Sequence, residues 1–332
     1  MYHPRFKGDH YEFGMKCGRL LKKNNIDFFG LIDLSQEQLA FGTGSELILR
    51  KYFPEACQEI KGIADGLMYP YEKFSAWLMC VSVCLEKKGC TMFAFKKDDK
   101  VFFGRNNDLP PVFRKISNSS LYSPMNGHSF IANSSAFVIA EDGVNEKGLA
   151  AGMTFVCPKE LKPGLNSMVF VRYILERCAT VNEGIEALQS IPIAGAWHVI
   201  LADRSGDIAH AECCADKIHI EKKDADASFV IASNNFLSDE MKQFENITDL
   251  YNSMDRYRTG YDALKKGFDS DSIQYARDIL GGKYGFMCQY EKGLDFDTVW
   301  SSVYDLNEGR VYRAEGNPKN IQYKEDKRLK FT

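Results

Sequence analysis

Gly89-Cys90-Thr91-Met92-Phe93-Ala94-Phe95 begins an apolar run. Lys97-Asp98-Asp99-Lys100 interrupts it, and Val101-Phe102-Phe103-Gly104-Arg105-Asn106-Asn107-Asp108 resumes it. Two apolar runs joined by a short polar turn predict a β-hairpin. Folding back over that turn brings the end of the second strand beside the start of the first. Cys90 then meets Arg105 and Asp108, which follow it by 15 and 18 positions.

Upstream, residues 1–89 read as mostly helical. Tyr11 to Asn24 carries Phe13, Met15, Leu20 and Leu21 among basic residues. Ser45 to Leu67 has apolar residues at helical spacing, with Pro54 expected to kink or split it. Tyr71 to Leu85 predicts a third helix, with Phe74, Trp77, Leu78, Val81 and Leu85 on one face. Downstream the texture becomes β. Phe130 to Ala140 and Leu149 to Val156 read as strands, with Gly143 to Gly148 as the turn between them. Leu165 to Cys178 predicts a helix, and Thr180-Val181-Asn182-Glu183 is a capping box opening another. Trp197 to Ala202, Asp207 to Glu212, Lys217 to Ile220 and Ser228 to Ser233 predict a β-meander. Thr248 to Lys266 and Asp271 to Gly281 follow as helices, and Thr298 to Asp305 with Arg310 to Ala314 forms a last hairpin. Strands consecutive in sequence imply mainly antiparallel sheets, and helices grouped between strand blocks can cover outer faces. The expectation is an α+β fold of two stacked sheets between helix layers. It forms one structural domain.

The 332 residues are 45% hydrophobic and 26% charged, ordinary globular composition with enough chain for a large core. The net charge of −3 lacks the basic excess of a nucleic-acid binder. The basic tail Lys324 to Lys330 contains Glu325 and Asp326 and reads as a solvated terminus. No apolar run reaches membrane-spanning length; the longest, Ala76 to Leu85, is about half what is needed. The N-terminus has no signal-peptide core, so the expected compartment is the cytoplasm. Ten cysteines in a chain of this length are no disulfide scaffold and read as free thiols. Cys80 and Cys84 share a helix face without further ligands nearby, and Cys213-Cys214 alternates in and out of a strand. The spread of His128, His198, His210 and His219 offers no ligand spacing. Neither a metal nor a cofactor is expected.

A cysteine at a chain start supplies its own chemistry. The thiol is a strong nucleophile, and an α-amine of pKa near 8 can take its proton. Gly89 tolerates backbone conformations closed to other residues, so the Cys90 sulfur can attack the Gly89 carbonyl and cut the chain there. That would make 1–89 and 90–332 two subunits, with the Lys87-Lys88 pair in a polar linker before the cut. Arg105 and Asp108 facing the thiol can stabilise the thiolate and orient the amine. The residues alone leave this reading level with a buried strand cysteine followed by a surface turn, Asn106-Asn107-Asp108. They also leave open a thiol hydrolase in which His198 serves a cysteine as base, and an uncleaved binding protein.

Gly-Cys-Thr followed by Gly104-Arg105-Asn106-Asn107-Asp108 resembles the N-terminal-nucleophile hydrolases. Specifically it resembles the isopenicillin N acyltransferase-like group, that of acyl-CoA:6-aminopenicillanic acid acyltransferase, related to the choloylglycine hydrolases and penicillin V acylases. Asn145-Glu146-Lys147-Gly148-Leu149, Asp203-Arg204-Ser205-Gly206, Ser233-Asn234-Asn235-Phe236, Arg256-Tyr257, Trp300 to Asp305 and Ala314 to Pro318 match in the same order. The resemblance implies a four-layer αββα sandwich and a self-cleaved cysteine amidohydrolase or acyltransferase acting on linear, non-peptide amides. By it, Cys90 is nucleophile and new N-terminus, Asp108 holds the amine, and Arg105 and Arg256 line the site. Asn234 would donate its side-chain amide to an oxyanion hole, joined by a backbone N–H at Thr154. The implied partners are a small-molecule amide, an acyl-CoA or amine co-substrate, and the retained segment 1–89. A homo-oligomer stays open.

Overall fold

The computed structural model describes residues 1–24, 33–81, 89–136, 138–223, 229–246, 251–268, 271–291 and 293–332. Cys84 and Leu85 of the third expected helix, the Lys87-Lys88 pair, Phe137, Ser228 and the expected helix start at Thr248 lie outside them.

The chain opens with a short strand, β1 (Arg5–Gly8), and the helices α1 (His10–Lys23), α2 (Gln36–Tyr52), α3 (Pro54–Leu67) and α4 (Tyr71–Val81). The expected Ser45–Leu67 helix is two helices. Pro54 occupies the first turn of α3, where its missing N–H costs nothing. Helix α2 begins earlier than expected, at a Ser35–Gln38 capping box.

The hairpin follows as β2 (Gly89–Lys97) and β3 (Lys100–Leu109). Asp98 and Asp99 both take positive φ, 50° and 61°, which matches the turn to the strand twist. Next come β4 (Asn118–Pro124), β5 (Phe130–Ser134), β6 (Asp142–Asn145) and β7 (Leu149–Val156). Residues 143–145, expected in a turn, are thus in a strand, and Gly148 at φ 80° closes the turn after it. Helices α5 (Ser167–Arg177) and α6 (Val181–Ser190) precede β8 (Ala196–Asp203), β9 (Ile208–Cys214), β10 (Ile218–Lys223) and β11 (Phe229–Ala232). The chain ends with α7 (Asp239–Lys242), α8 (Ser253–Lys266), α9 (Ser272–Leu280), β12 (Asp297–Asp305), β13 (Arg310–Ala314) and β14 (Lys324–Glu325).

The strands make two sheets, ordered β1-β4-β5-β6-β7-β8-β9-β10 and β11-β2-β3-β12-β13-β14. Every pair is antiparallel except β1 with β4. The expected four-strand meander is broken after β10: β11 crosses to the second sheet and pairs with β2. Period-two alternation decides which core each residue joins. Met92, Ala94, Phe103, Ala150, Ile200 and Ala202 fill the space between the sheets. Their neighbours Ala151, Val199 and Leu201 face α1, α3 and α5, while Phe93 and Phe95 face α8 and α9. This is an α+β sandwich of helices, sheet, sheet and helices, as expected.

The N-terminal helices share the outer core of the first sheet. Arg172 of α5, fully buried, pairs with Glu59 of α3 at 2.9 Å and Glu176 at 3.0 Å, and Glu176 also meets His10 at 2.8 Å. The Arg172 guanidinium lies 4.0 Å from the Tyr122 ring centre. Breaking a buried pair leaves its partner's charge stranded, at a cost of about 3–5 kcal/mol. Arg172→Ala is therefore expected to lose that much stability in denaturant titration, and a loss under about 1 kcal/mol would contradict this account of the cluster.

Candidate active site

In the hairpin register Cys90 stands opposite Asn107, Met92 opposite Arg105, and Gly89 opposite Asp108. Alternation puts Cys90, Asn107 and Arg105 on the face between the sheets. Asp108 points to the other face. The expectation that Arg105 and Asp108 both face the thiol is corrected here, because residues three apart on a strand point to opposite sides. β12 reaches both faces through a bulge. Its register with β3 shifts between Thr298 and Trp300, so Thr298 lies opposite Asp108 and Trp300 opposite Asn107.

On the inner face, Arg105 Nη2 donates to Cys90 Sγ at 3.1 Å and to Asn107 Oδ1 at 2.8 Å. Its Nη1 donates to Asp142 Oδ1 at 3.0 Å and its Nε to the Met153 carbonyl at 2.9 Å. Asp142 also accepts from Trp300 Nε1 at 2.9 Å, Asn133 Nδ2 at 2.8 Å and the Tyr304 hydroxyl. A carboxylate of the first sheet thus fixes the arginine that the second sheet aims at the thiol. Burial opposes the charge on Arg105, but Cys90, Asp142 and Glu141 outweigh it and hold the guanidinium above its usual range. The Cys90 thiol, 3% exposed, is pushed up to about 11. Burial is the main cause; Arg105 pulls downward, while Asp108 and Glu141 add to the rise. The thiol also points at Asn107 Oδ1, 3.4 Å away.

At the backbone, the Cys90 N–H donates to Asn234 Oδ1 at 3.0 Å. Arg256 Nη2 donates to the same oxygen at 2.8 Å, and its Nη1 donates to the Cys90 carbonyl at 2.5 Å and Thr91 Oγ1 at 2.9 Å. Asn234 Nδ2 donates to the Phe155 carbonyl at 2.7 Å. The two donors on Oδ1 fix the orientation of this amide. Asp108 accepts from Tyr290 at 2.7 Å and Thr298 at 2.6 Å, and lies 3.8 Å from Arg256. Burial raises its carboxyl above the usual range, against the pull of Arg256 and both hydroxyls. Thr154 pairs with His198 across β7 and β8, and its hydroxyl donates to the Ser233 carbonyl.

Gly89 does not owe its place to a strained backbone. It lies in β2 and is not among the positive-φ glycines. A Cβ there would sit 2.9 Å from Phe296 Cζ and 3.4 Å from the Asp108 Cβ, so close approach explains the glycine.

His198 is fully buried and meets His210 Nε2 at 2.9 Å and the Asn235 carbonyl at 3.0 Å. Burial pushes its pKa down to about 3. Among the described residues, the hydrogen-bond partners of the Cys90 side chain are Arg105 and Asn107, with no imidazole among them. Cys213 and Cys214 are free thiols in separate cores, one on each face of β9. No group of three metal-ligating side chains occurs among the described residues, and no helix among them is long and apolar enough to cross a membrane.

The structure therefore gathers Cys90, Arg105, Asp108, Asn234 and Arg256 around one peptide bond, and places Thr154 beside Ser233, next to Asn234. Sequence reasoning missed Asn107, Asp142, Trp300, Tyr304, Tyr290 and Thr298. Asn107 was within reach, since counting the hairpin register puts it opposite Cys90. Asp142 was not, because it comes from the other sheet and no local pattern marks it.

The model of the acyl-coenzyme A:6-aminopenicillanic acid acyl-transferase family matches residues 95–320. The match takes in Arg105, Asp108, Thr154, Asn234 and Arg256, and begins just after Cys90. Penicillin V acylase of Pectobacterium atrosepticum is 34% identical over 91 residues, 21% of this chain and 24% of that protein. The match spans about a quarter of that relative's length. Among solved structures, penicillin V acylase from Agrobacterium tumefaciens is 17% identical with a TM-score of 0.48, over 73% of this chain and 99% of that one. A mutant conjugated bile acid hydrolase from Clostridium perfringens is 15% identical with a TM-score of 0.43, over 73% and 98%. With the family model matched across well over half of its length, the chain belongs to the acyl-coenzyme A:6-aminopenicillanic acid acyl-transferase family.

Proposed function

We propose that the protein cleaves itself between Gly89 and Cys90 and then works as a cysteine amidohydrolase or acyltransferase on linear, non-peptide amides. The observation that carries this reading is the double grip on Cys90. Arg105 holds its sulfur, while Asn234 and Arg256 hold its backbone N–H and carbonyl. A structural cysteine needs neither grip, and three fully buried polar side chains are costly to spend on one.

In self-cleavage, Sγ loses its proton and bonds to the Gly89 carbonyl carbon. The bond from that carbon to the Cys90 nitrogen breaks, and the nitrogen takes up a proton. Water then opens the thioester, leaving a Gly89 carboxylate and a Cys90 with free thiol and α-amine. Asn234 Oδ1 already accepts from that nitrogen, and Asp108 flanks it from the outer face, so both are the proposed holders of the amine. In turnover the amine takes the thiol proton, Sγ attacks the substrate carbonyl, and the amine returns the proton to the departing nitrogen. The proposed oxyanion donors are a backbone N–H of β7 at Thr154 and the Asn234 amide, which exchanges the Phe155 carbonyl for the substrate oxygen. Arg256 keeps the Cys90 carbonyl in place, and Arg105 stabilises the thiolate. Water or an amine then accepts the acyl group, with an acyl-CoA as a further candidate donor. Residues 1–89 stay docked through β1 on β4 and the Arg172 cluster.

A buried thiol near 11 gives self-cleavage a pH signature. Below its pKa the thiolate fraction rises about tenfold per pH unit. The cleavage rate of freshly synthesised chain, followed by gel between pH 6 and 9, is expected to rise with that slope; a flat profile would contradict thiolate attack. The whole reading is tested by exposing the protein to an amide panel and to acyl-CoAs. It expects an acyl mass increment on the peptide beginning at Cys90, and an increment on any other residue would overturn it.

A further inference from the structure

The segment that carries Asn234 follows β11 and lies against the other sheet. Thr154 of β7, His198 of β8 and Glu212 of β9 stand directly opposite one another in the ladders and form one row across the first sheet. Ala150, Ile200 and Ile208 face the space between the sheets, and alternation puts the row on that same face. Each member of the row grips the segment. The Thr154 hydroxyl donates to the Ser233 carbonyl. His198 Nε2 meets the Asn235 carbonyl at 3.0 Å. Glu212 accepts from the backbone N–H of Leu237 and, at 3.1 Å, from that of Ser238. Asn234 thus stands between two carbonyls held by neighbouring strands, and its own N–H donates to Ser253 Oγ at 2.8 Å.

The proposed chemistry uses neither His198 nor His210, yet both rings are buried between the sheets. Their protons can be assigned. A carbonyl oxygen only accepts, so His198 Nε2 carries a proton. Burial is the main cause that pushes both rings down to about 3, so each is neutral and has a single N–H. His198 Nδ1 is therefore an acceptor, and His210 Nε2, 2.9 Å away, is its donor. The chain of hydrogen bonds runs one way, from His210 through His198 to the Asn235 carbonyl. What it holds is the neighbour of Asn234, whose Oδ1 accepts from the Cys90 N–H at 3.0 Å. That nitrogen is the one released when the Gly89–Cys90 bond is cut.

We propose that His198 is a positioning residue for self-cleavage: its Nε2–H fixes the Asn235 carbonyl and so keeps the Asn234 amide on the Cys90 nitrogen. This rests on the reading that the chain cuts itself between Gly89 and Cys90. The ring touches neither the thiol nor the scissile bond, and it exchanges no proton. Its effect is orientation, where a displacement of about 1 Å can cost about 10²-fold in rate.

The test separates the two hydrogen bonds of His198. His198→Gln places an amide donor where Nε2 was and leaves His210 without an acceptor. His198→Asn places an amide oxygen where Nδ1 was, keeps the acceptor for His210, and leaves the Asn235 carbonyl without a donor. Each variant gives up one buried bond, so the two are expected to melt within a few degrees of each other. The readout is the first-order rate constant of self-cleavage of chain made by cell-free translation, followed by gel at a single pH. Misfolded chain lowers the end point of that reaction and leaves its rate constant unchanged. His198→Gln is expected within about threefold of wild type, and His198→Asn slower by about tenfold or more. A wild-type rate constant in His198→Asn overturns the proposal, and so does an equal loss in both variants. Melting of His198→Asn far below that of His198→Gln also overturns it, since the bond to Asn235 would then serve the fold. A wild-type chain that stays whole refutes self-cleavage itself, whereas normal cleavage of both variants refutes only the role of His198.

Discussion

Cys90→Ala is expected to remain one continuous chain and to lose turnover by about 10⁴-fold or more, the scale on which removing a covalent nucleophile acts. The loss should not be a folding effect. The sulfur is small, and what it touches, Arg105 and Asn107, keep each other as partners at 2.8 Å. The variant's melting should therefore stay close to that of Cys90→Ser, which fills the same space. Cleavage at the same bond in Cys90→Ala would remove the sulfur from the self-cleavage step. Retained turnover would remove it from catalysis.

The second large effect is expected at Arg105. This side chain and Asp142 are both fully buried, and they join the two sheets at the thiol. Arg105→Ala removes one charge and leaves the other, which costs about 3–5 kcal/mol in buried pairs. Asp142 would retain Trp300, Asn133 and Tyr304 as donors, so the lower end of that range is expected. The sulfur loses its cationic neighbour as well, so self-cleavage should slow sharply at any given pH. Arg105→Met combined with Asp142→Leu separates these two consequences. Replacing both partners by apolar groups of similar volume restores stability in many buried pairs, but it cannot restore a charge beside the thiol. Denaturant titration and cleavage rate on the three proteins check this, and recovery of both in the double variant would show that the charge serves only the fold.

Local pattern carried much of the fold. The hairpin was legible because two apolar runs flank a two-residue turn whose aspartates accept positive φ. Thr180 marks a helix start the same way, and Pro54 splits one expected helix into two. What escaped depends on tertiary partners. β1 has four residues, too few for alternation to register. β4 is rich in serine and polar, and is a strand because β1 and β5 flank it. β11 looks like the fourth strand of a meander until its pairing with β2 is known. The site shows the same division. Arg105, Asp108, Asn234 and Arg256 stand in short motifs and were named from the sequence. That Arg105 and Asp108 serve opposite faces follows from counting residues along a strand, which a motif alone does not convey. The support from Asp142, Tyr304 and Tyr290 crosses between sheets or long loops, where spacing carries no information.

The proposed function depends on whether the Gly89–Cys90 bond is cut. Intact-mass measurement on purified, active protein tests that directly. The account predicts two chains, one ending at Gly89 and one beginning at Cys90, that stay together under native conditions and separate on denaturation. A single full-length chain of 37.7 kDa in a fully active sample would contradict it.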